Sequence, residues 1–432
     1  MKKFIPFCLV LLCLVSCKKE MFDAAAYNDL INETAPIGDI DPAHTWNLTS
    51  SYTVDLQTVS GSNVTYVQVL TGNPNQQENV EILAEQAAGS VTHHLLFFYA
   101  PSWQQTFYAA AVAADGTYRV KAFQRTDATV VLDDALQSQT SGFKPPVYQA
   151  YTYLYEEEYP KPSEDWDFND CVLRFEKQRP QAANEVRLKV TLAAVGATKQ
   201  IAAAVRLLGY QYDDIESVEI AEGRTFDNIS VEFKEKRVLI ESTELLLRGQ
   251  HGEAVLNLFE DAHWVMSPRL RPEGMGVVRM FYNTNRNLDG ANSSTSAQMR
   301  PKERTFIIRF RKTDLLQNFT LESLDPFIIE DFNSGKWEVH THDFKADAIL
   351  HDYGDNETAR ANNMVWALKI PYGAFRWPQE GIGLGFYKAD EETGQKLLTG
   401  AYMEWNHSFG QWVNDHTVSL DWYRYPTTGL VY

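Results

Sequence analysis

Residues 165–175 read Asp165-Trp166-Asp167-Phe168-Asn169-Asp170-Cys171-Val172-Leu173-Arg174-Phe175. The second half is a short apolar run of strand character. The first half sets four oxygen-bearing side chains, Asp165, Asp167, Asn169 and Asp170, within six residues. Upstream stand Glu156 and Glu157, and between them and the acids lies Tyr159-Pro160-Lys161-Pro162. Proline disfavours both helix interiors and central strands, so this stretch reads as a loop. Tyr151–Tyr155 alternates as a strand does. The reading is two strands folded back on each other, with Glu156 or Glu157 approaching Asp165 and Asp167 at the mouth of the loop.

So many carboxylates in one place repel unless a cation or a set of donors compensates. Calcium takes six to eight oxygen ligands, and Asp-x-Asp-x-Asn offers them at alternate positions. The expected site is a calcium site of Asp165, Asp167, Asn169, Asp170, Glu156 and Glu157. An EF-hand does not fit, because its sixth position needs glycine and here is Asp170. The alternative is an acidic loop whose side chains cap backbone amides in tight turns.

Outward from this segment the pattern is strand after strand. Val186, Leu188, Val190 and Leu192 alternate with polar residues, as do Ser230–Phe233 and Thr305–Phe310. Short strands and few helical patterns predict a β-sandwich-like domain over 147–432. Upstream, residues 46–140 read as a smaller β-rich domain. Tyr52–Val59 and Val64–Leu70 flank a Ser-Gly-Ser-Asn turn and predict a hairpin. Asp115-Gly116 predicts another, between Phe107–Val112 and Thr117–Phe123. Glu78–Ala88 reads as a short helix, and 137–146 as a linker. The fold class is therefore mainly β, a small N-terminal β domain followed by a larger β-sandwich-like one.

The first residues are read as a targeting segment. Lys2 and Lys3 precede an apolar run, Phe4–Val15, that is too short to span a bilayer. Leu14-Val15-Ser16-Cys17 resembles a bacterial lipobox, which predicts a signal peptide over 1–16 and lipid on Cys17; an ordinary secretory signal and a simple N-terminal membrane anchor are the alternatives. Residues 17–45 read as a tether. Lys18, Lys19, Glu20 and Asp23 follow the cysteine and resemble the surface-export signal of lipoproteins in some gut-type Gram-negative bacteria, which implies exposure at the cell surface rather than a periplasm-facing anchor. The expected location is thus the outer membrane. Of the four cysteines only Cys171 lies in the folded part, so no intramolecular disulfide is available.

The formal net charge of −18 argues against nucleic acid as a partner, since phosphate contacts need a basic face. It suits cation binding and solubility outside the cell. Aromatic residues make up 12% of the chain, enough to supply sugar-stacking platforms as well as a core. Trp366, Trp377, Phe386, Tyr387, Trp405, Trp412, Trp422 and Tyr423 could floor a glycan groove, or fill the interior. Glu338, His340 and His342, with Asp343 and His351 nearby, offer a zinc-type set or simply polar strand positions.

Several blocks in one order resemble a known family. Tyr155-Glu156-Glu157 followed by Asp165-Trp-Asp167-Phe-Asn169-Asp170 resembles the acidic signature of LruC-domain lipoproteins. Ala194–Ala197, Phe281–Thr284, Leu324–Ile328, Trp337–His340, Val365–Pro371, Trp377–Glu380 and Asp421–Tyr423 follow the same pattern. His44-Thr-Trp46-Asn47 fits its upstream motif. Glu157, Thr341 and Val365 depart from the family, and Thr341 weakens any carry-over at His340. The resemblance covers about 150–425 and implies an envelope lipoprotein with a β-rich domain. It supplies no biochemical activity.

No Gly-x-Ser-x-Gly elbow, His-Glu-x-x-His or phosphate loop is present, and no catalytic residue is assigned. Two functions stay open. One is a non-catalytic, calcium-stabilised module for adhesion, glycan contact or surface assembly, with a glycan or surface protein as partner. The other is a surface glycan hydrolase, whose carboxylate pair would come from distant strands.

Overall fold

The structure, a computed structural model, describes residues 40–59, 63–133, 136, 138, 141–157, 166–223, 239, 240, 242–267, 280–285, 296–316, 318–332, 335–341, 344, 347–350, 364–389 and 396–432. Of Asp331, Phe332, 386–389 and 396–399 only the backbone is described. Cys17, the signal and most of the tether, Asp165, Ser230–Phe233, His342, Asp343 and His351 lie outside the described residues.

The first region holds β1 (Thr49–Thr58), β2 (Val64–Leu70), β3 (Glu81–Ala87), β4 (His93–Pro101), β5 (Thr106–Ala113), β6 (Tyr118–Gln124), β7 (Thr129–Leu132) and β8 (Val147–Tyr148). One sheet has the order β4-β1-β7 and the other β6-β5-β2-β3-β8. Val54, Leu56 and Phe98 of the first pack against Val67, Val69, Phe107 and Phe123 of the second. The hairpin expected between Tyr52–Val59 and Val64–Leu70 is absent. The two strands lie in opposite sheets, because each sends its apolar face into the shared core from its own side. The helix expected over Glu78–Ala88 is instead strand β3. Its Glu, Ala and Gln residues favour helix, but pairing with β2, from Tyr66↔Ala87 to Leu70↔Ile82, outweighs that preference. The Asp115-Gly116 hairpin forms as read, with Gly116 at φ +82°.

The second region holds β9 (Ala150–Tyr155), β10 (Cys171–Gln178), β11 (Glu185–Ala194), β12 (Ile201–Gln211), β13 (Ile215–Ile220), β14 (Leu246–Arg248) and β15 (Glu253–Phe259). It continues with β16 (Phe281–Tyr282), β17 (Ser296–Ala297), β18 (Lys302–Phe310), β19 (Leu324–Phe332), β20 (Gly335–Val339) and β21 (Ala367–Ile370). The sheet β13-β18-β11-β10-β9-β21 faces the sheet β14-β15-β12-β19-β20. Tyr151, Tyr153, Tyr155, Leu173, Leu188 and Val190 of one meet Ile201, Val205, Leu256 and Ile328 of the other. The fold is mainly β, with sandwich packing.

Both sheets are covered on their outer faces as well. Along β12, Ile201, Ala203 and Val205 point into the sandwich while Ala202 and Ala204 pack outward with Leu239, Ile240 and Ala348. On the opposite side, Leu154, Val172, Leu368 and Ile370 pack beneath an aromatic cap built by the C-terminal residues, among them Trp412 and Trp422. Ile40, Trp46 and Leu48 join this same cap, and through Ile40 the packing reaches into the stretch, 17–45, that composition reads as tether. Trp366, Trp377, Trp412, Trp422 and Tyr423 are all buried. They form core rather than a groove floor, and of the eight aromatics read in this region Trp405 is the exposed one among those with described side chains. No helix among the described residues is long and apolar enough to cross a membrane.

Candidate functional site: a buried acidic junction

Strands β9 and β10 run antiparallel with Cys171 opposite Tyr155, so the two strands are neighbours as the sequence reading expects. Glu156, Glu157, Asp167 and Asn169 are buried. The structure brings these residues and Asp170 to one place. Asp165, the remaining member of the expected set, lies outside the described residues.

Backbone amides meet the described carboxylates. Glu156 Oε1 accepts the Phe168 N–H at 2.6 Å. Asp170 Oδ2 accepts the Glu157 N–H at 2.6 Å. Glu157 accepts three donors from the turn after β11: Thr198 N–H at 2.8 Å, Thr198 Oγ1–H at 2.6 Å and Lys199 N–H at 2.7 Å. Asp167 accepts Asn169 N–H at 3.2 Å and, from far along the chain, Gly381 N–H at 2.8 Å. Lys199 closes the group by donating its Nζ to the Glu157 carbonyl at 2.6 Å.

The backbone itself is bent to make these contacts. Phe168 sits at φ +53° with its side chain fully buried. A phenylalanine in the left-handed region costs about 1–2 kcal/mol, offset here by the hydrogen bond to Glu156 and burial of the ring. Gly196 N–H lies 3.0 Å from Asn169 O and 3.1 Å from Asp170 O. A Cβ at residue 196 would fall 2.1 Å from Asn169 Oδ1, so the close approach requires glycine.

Electrostatically the junction is loaded with like charge. Burial, followed by repulsion from Glu156, Glu157 and Asp167, raises the Asp170 carboxyl well above the usual carboxylate range. Asn169 Nδ2 donates to Pro378 O at 3.3 Å, whereas its buried Oδ1 has no hydrogen-bond partner. A hard cation would relieve this charge, and the oxygens are of the right chemical kind. Yet among the described residues no group of three or more His, Cys, Asp or Glu side chains is placed to hold a metal.

Residues far apart in sequence converge around this junction. Asn283, at φ +62°, donates Nδ2–H to Ala193 O at 2.7 Å and accepts Met299 N–H at 2.7 Å. Its carbonyl accepts Trp377 Nε1–H at 2.7 Å. Glu380 N–H reaches Thr284 O at 2.8 Å. Sequence reading found the carboxylates but not Thr198, Lys199 and Gly381, whose backbone donors leave no side-chain pattern. Asn283 and Gly196 were marked only by the family resemblance.

Of the second expected set, only Glu338 and His340 lie among the described residues. Glu338 and His340 meet, but not as a metal pair. His340 is fully buried, with Nδ1 2.9 Å from Asp325 Oδ1 and Nε2 3.1 Å from Glu338 Oε2. Both ring nitrogens then donate, which requires the imidazolium. Burial alone would lower its pKa, but the charge and hydrogen bond of Asp325, helped by Glu338, raise it to about 9. Arg206 pairs with Asp325 at 2.8 Å, and Glu338 also accepts the N–H groups of Ala348, Ile349 and Leu350. The cluster fastens residues 348–350 over β20.

Residues 182–387 match a family described as "Domain of unknown function (DUF4842)", just under half of the chain. Among solved structures, a chain of Bacteroides ovatus described provisionally as a lipoprotein superposes with a TM-score of 0.52 at 14% identity. The superposition covers 85% of this chain and 99% of that one, a likeness of fold. A search of curated proteins finds no match.

Proposed function

We propose that this chain is an outer-membrane lipoprotein, held by lipid on Cys17 and displayed at the cell surface, whose folded part is a non-catalytic binding module. The observation that carries the non-catalytic reading is the state of the acidic junction. Its carboxylates are buried and engaged by backbone amides, which holds β9, β10, the 196–199 turn and the C-terminal cap together. A general acid or nucleophile needs an approachable side chain at a cleft. The blocks that resemble LruC-domain lipoproteins supply many of the residues at this junction, which supports kinship with that family. The lipobox spacing and the lipoprotein description of the solved structure support the anchor.

Calcium deepens the same reading. Asp167, Asp170, Glu156 and Glu157, with Asn169 and Asp165, would hold the ion, and its charge would allow Asp170 to ionise. Melting curves of the purified folded part in calcium and in chelator test this. A cation at a hundred times its dissociation constant adds about 2.7 kcal/mol of stability. Superimposable curves would leave the amide-capped junction as the complete description and remove the metal. A hydrolase assignment would instead need turnover of a glycan that survives purification of the protein to homogeneity.

A further inference from the structure

The two sandwiches meet at an open groove of about 430 Å³, lined by Phe97, Tyr99, Leu208, Asn318, Thr320, Glu322 and Ser323. Clefts for small ligands run from about 300 to 1,000 Å³ and favour such domain junctions. From this lining the geometry points to a binding site for a short neutral carbohydrate, distinct from the acidic junction and independent of whether that junction holds calcium.

The first reason is the pair of rings. β4 sends Leu95, Phe97 and Tyr99 to one face of its sheet, and Leu95 and Phe97 are 71% and 37% exposed. Such apolar exposure is unusual on a strand whose alternate residues, Leu96 and Phe98, fill the core. The Phe97 and Tyr99 rings stand 5.3 Å apart at 80°, one a floor and the other a wall. An aromatic face receives the C–H side of a pyranose ring, whose edge carries the hydroxyls.

The second reason is the opposite wall. Asn318, Thr320, Glu322 and Ser323 line it with an amide, two hydroxyls and a carboxylate; the hydroxyls, which accept the Glu322 and Thr320 N–H groups, keep an O–H to donate, the amide donates and accepts, and the carboxylate accepts only. Three apolar and four polar side chains make the lining amphipathic, as a sugar is and a lipid chain is not.

The third reason is charge. Glu322 is held by Lys369 Nζ at 2.5 Å and by Thr49 Oγ1–H at 2.8 Å. Among the described residues the groove's lining therefore offers no free cation for an acidic sugar, and the chain as a whole is strongly negative. Glu322 is also the single carboxylate among the described residues of the lining, whereas glycoside cleavage uses two. The groove fits retention of a glycan rather than its hydrolysis.

The test is an array of immobilised neutral oligosaccharides probed with the purified folded protein, then calorimetric titration of the best soluble oligosaccharide. Tyr99→Ala and Phe97→Ala should each weaken binding at least tenfold with the melting curve kept. Asn318→Ala, an exposed loop change that leaves the sheet untouched, should weaken it several-fold and covers the case in which a ring variant folds poorly. Trp405→Ala, at the exposed tryptophan of the C-terminal region, should leave affinity unchanged. No binding across the neutral panel would overturn the proposal. So would binding that survives the Phe97→Ala/Tyr99→Ala pair, or that is lost in Trp405→Ala instead.

Discussion

Asp170 accepts the backbone N–H of Glu157 at 2.6 Å, which ties the two ends of the acidic loop directly to each other. The bond is made by a carboxyl that burial and three neighbouring acids push toward its protonated form. A group whose folded pKa is raised stabilises the fold fully below its unfolded value and loses that contribution as pH rises toward the folded one. In chelator, stability should therefore decline as pH climbs above about 4.

Asp170→Asn tests this directly. The amide oxygen can still accept from Glu157, while the buried charge is gone. In chelator at neutral pH the variant should equal or exceed the wild type in melting temperature. With calcium present it should fall behind by the whole calcium-dependent increment. A variant that loses stability equally in both conditions would show that the ionised carboxylate itself, and not a cation, holds the loop.

Cys17→Ala should abolish incorporation of radiolabelled fatty acid and shift the protein from the membrane fraction to the soluble one. Several acyl chains on one residue anchor firmly, since each buried methylene contributes about 0.8 kcal/mol. Undiminished labelling in the variant would place the lipid on another residue.

His340 predicts a pH dependence at the alkaline end. Its folded pKa is raised to about 9, against an unfolded value near 6.5. The stabilising contribution is complete below about pH 6.5 and is lost as pH rises through about 9. Chemical denaturation between pH 7 and 10 should show stability falling by a few kcal/mol. His340→Gln should cost about 3–5 kcal/mol at pH 6.5, because it removes the buried positive charge that stands between the Asp325 and Glu338 carboxylates. It should also flatten the alkaline slope, and a slope equal to the wild type would assign the titration to another group.

How far the chain could be read in advance depends on where the stabilising groups sit. Strands β9, β10 and β11 were legible, because Tyr151–Tyr155, Cys171–Phe175 and Val186–Leu192 carry their burial pattern in their own side chains. Strand β3 was not, because its partner β2 decides it and its own composition argues for helix. The carboxylates of the junction were legible as a cluster, but their partners were not. Glu157 is satisfied 41 residues away at Thr198, and Asp167 is satisfied 214 residues away at Gly381, in both cases by backbone amides. The residues lining the groove likewise come from segments that share no sequence pattern.

Gly196→Ala should destabilise the second sandwich by about 1–3 kcal/mol, the usual cost of forcing volume into a packed site. The added methyl would meet Asn169 Oδ1 and crowd Asn169 O at 3.1 Å and Thr284 Cγ2 at 3.2 Å. Urea denaturation should show a lower midpoint with an unchanged slope. If the midpoint stays put, the Asn169 side chain has room to move, and the junction is less tightly packed than its burial implies.

Trp46 offers the sharpest test of how residues 40–48 are used. Its N–H donates to His44 Nδ1 at 3.0 Å, which leaves Nε2 as the protonated nitrogen, 2.9 Å from Trp412 O. The Trp46 and Trp412 rings meet edge to face at 5.6 Å. A segment at one end of the described chain thus completes the aromatic cap built at the other. An exposed surface position tolerates substitution within about 0.5 kcal/mol, whereas truncating a core tryptophan costs about 3–5 kcal/mol. Trp46→Ala should show the larger loss, and limited proteolysis should begin in the C-terminal cap rather than in the first sandwich. A near-neutral Trp46→Ala would show that residues 40–48 contribute little to the cap, which would then rest on the C-terminal aromatics alone.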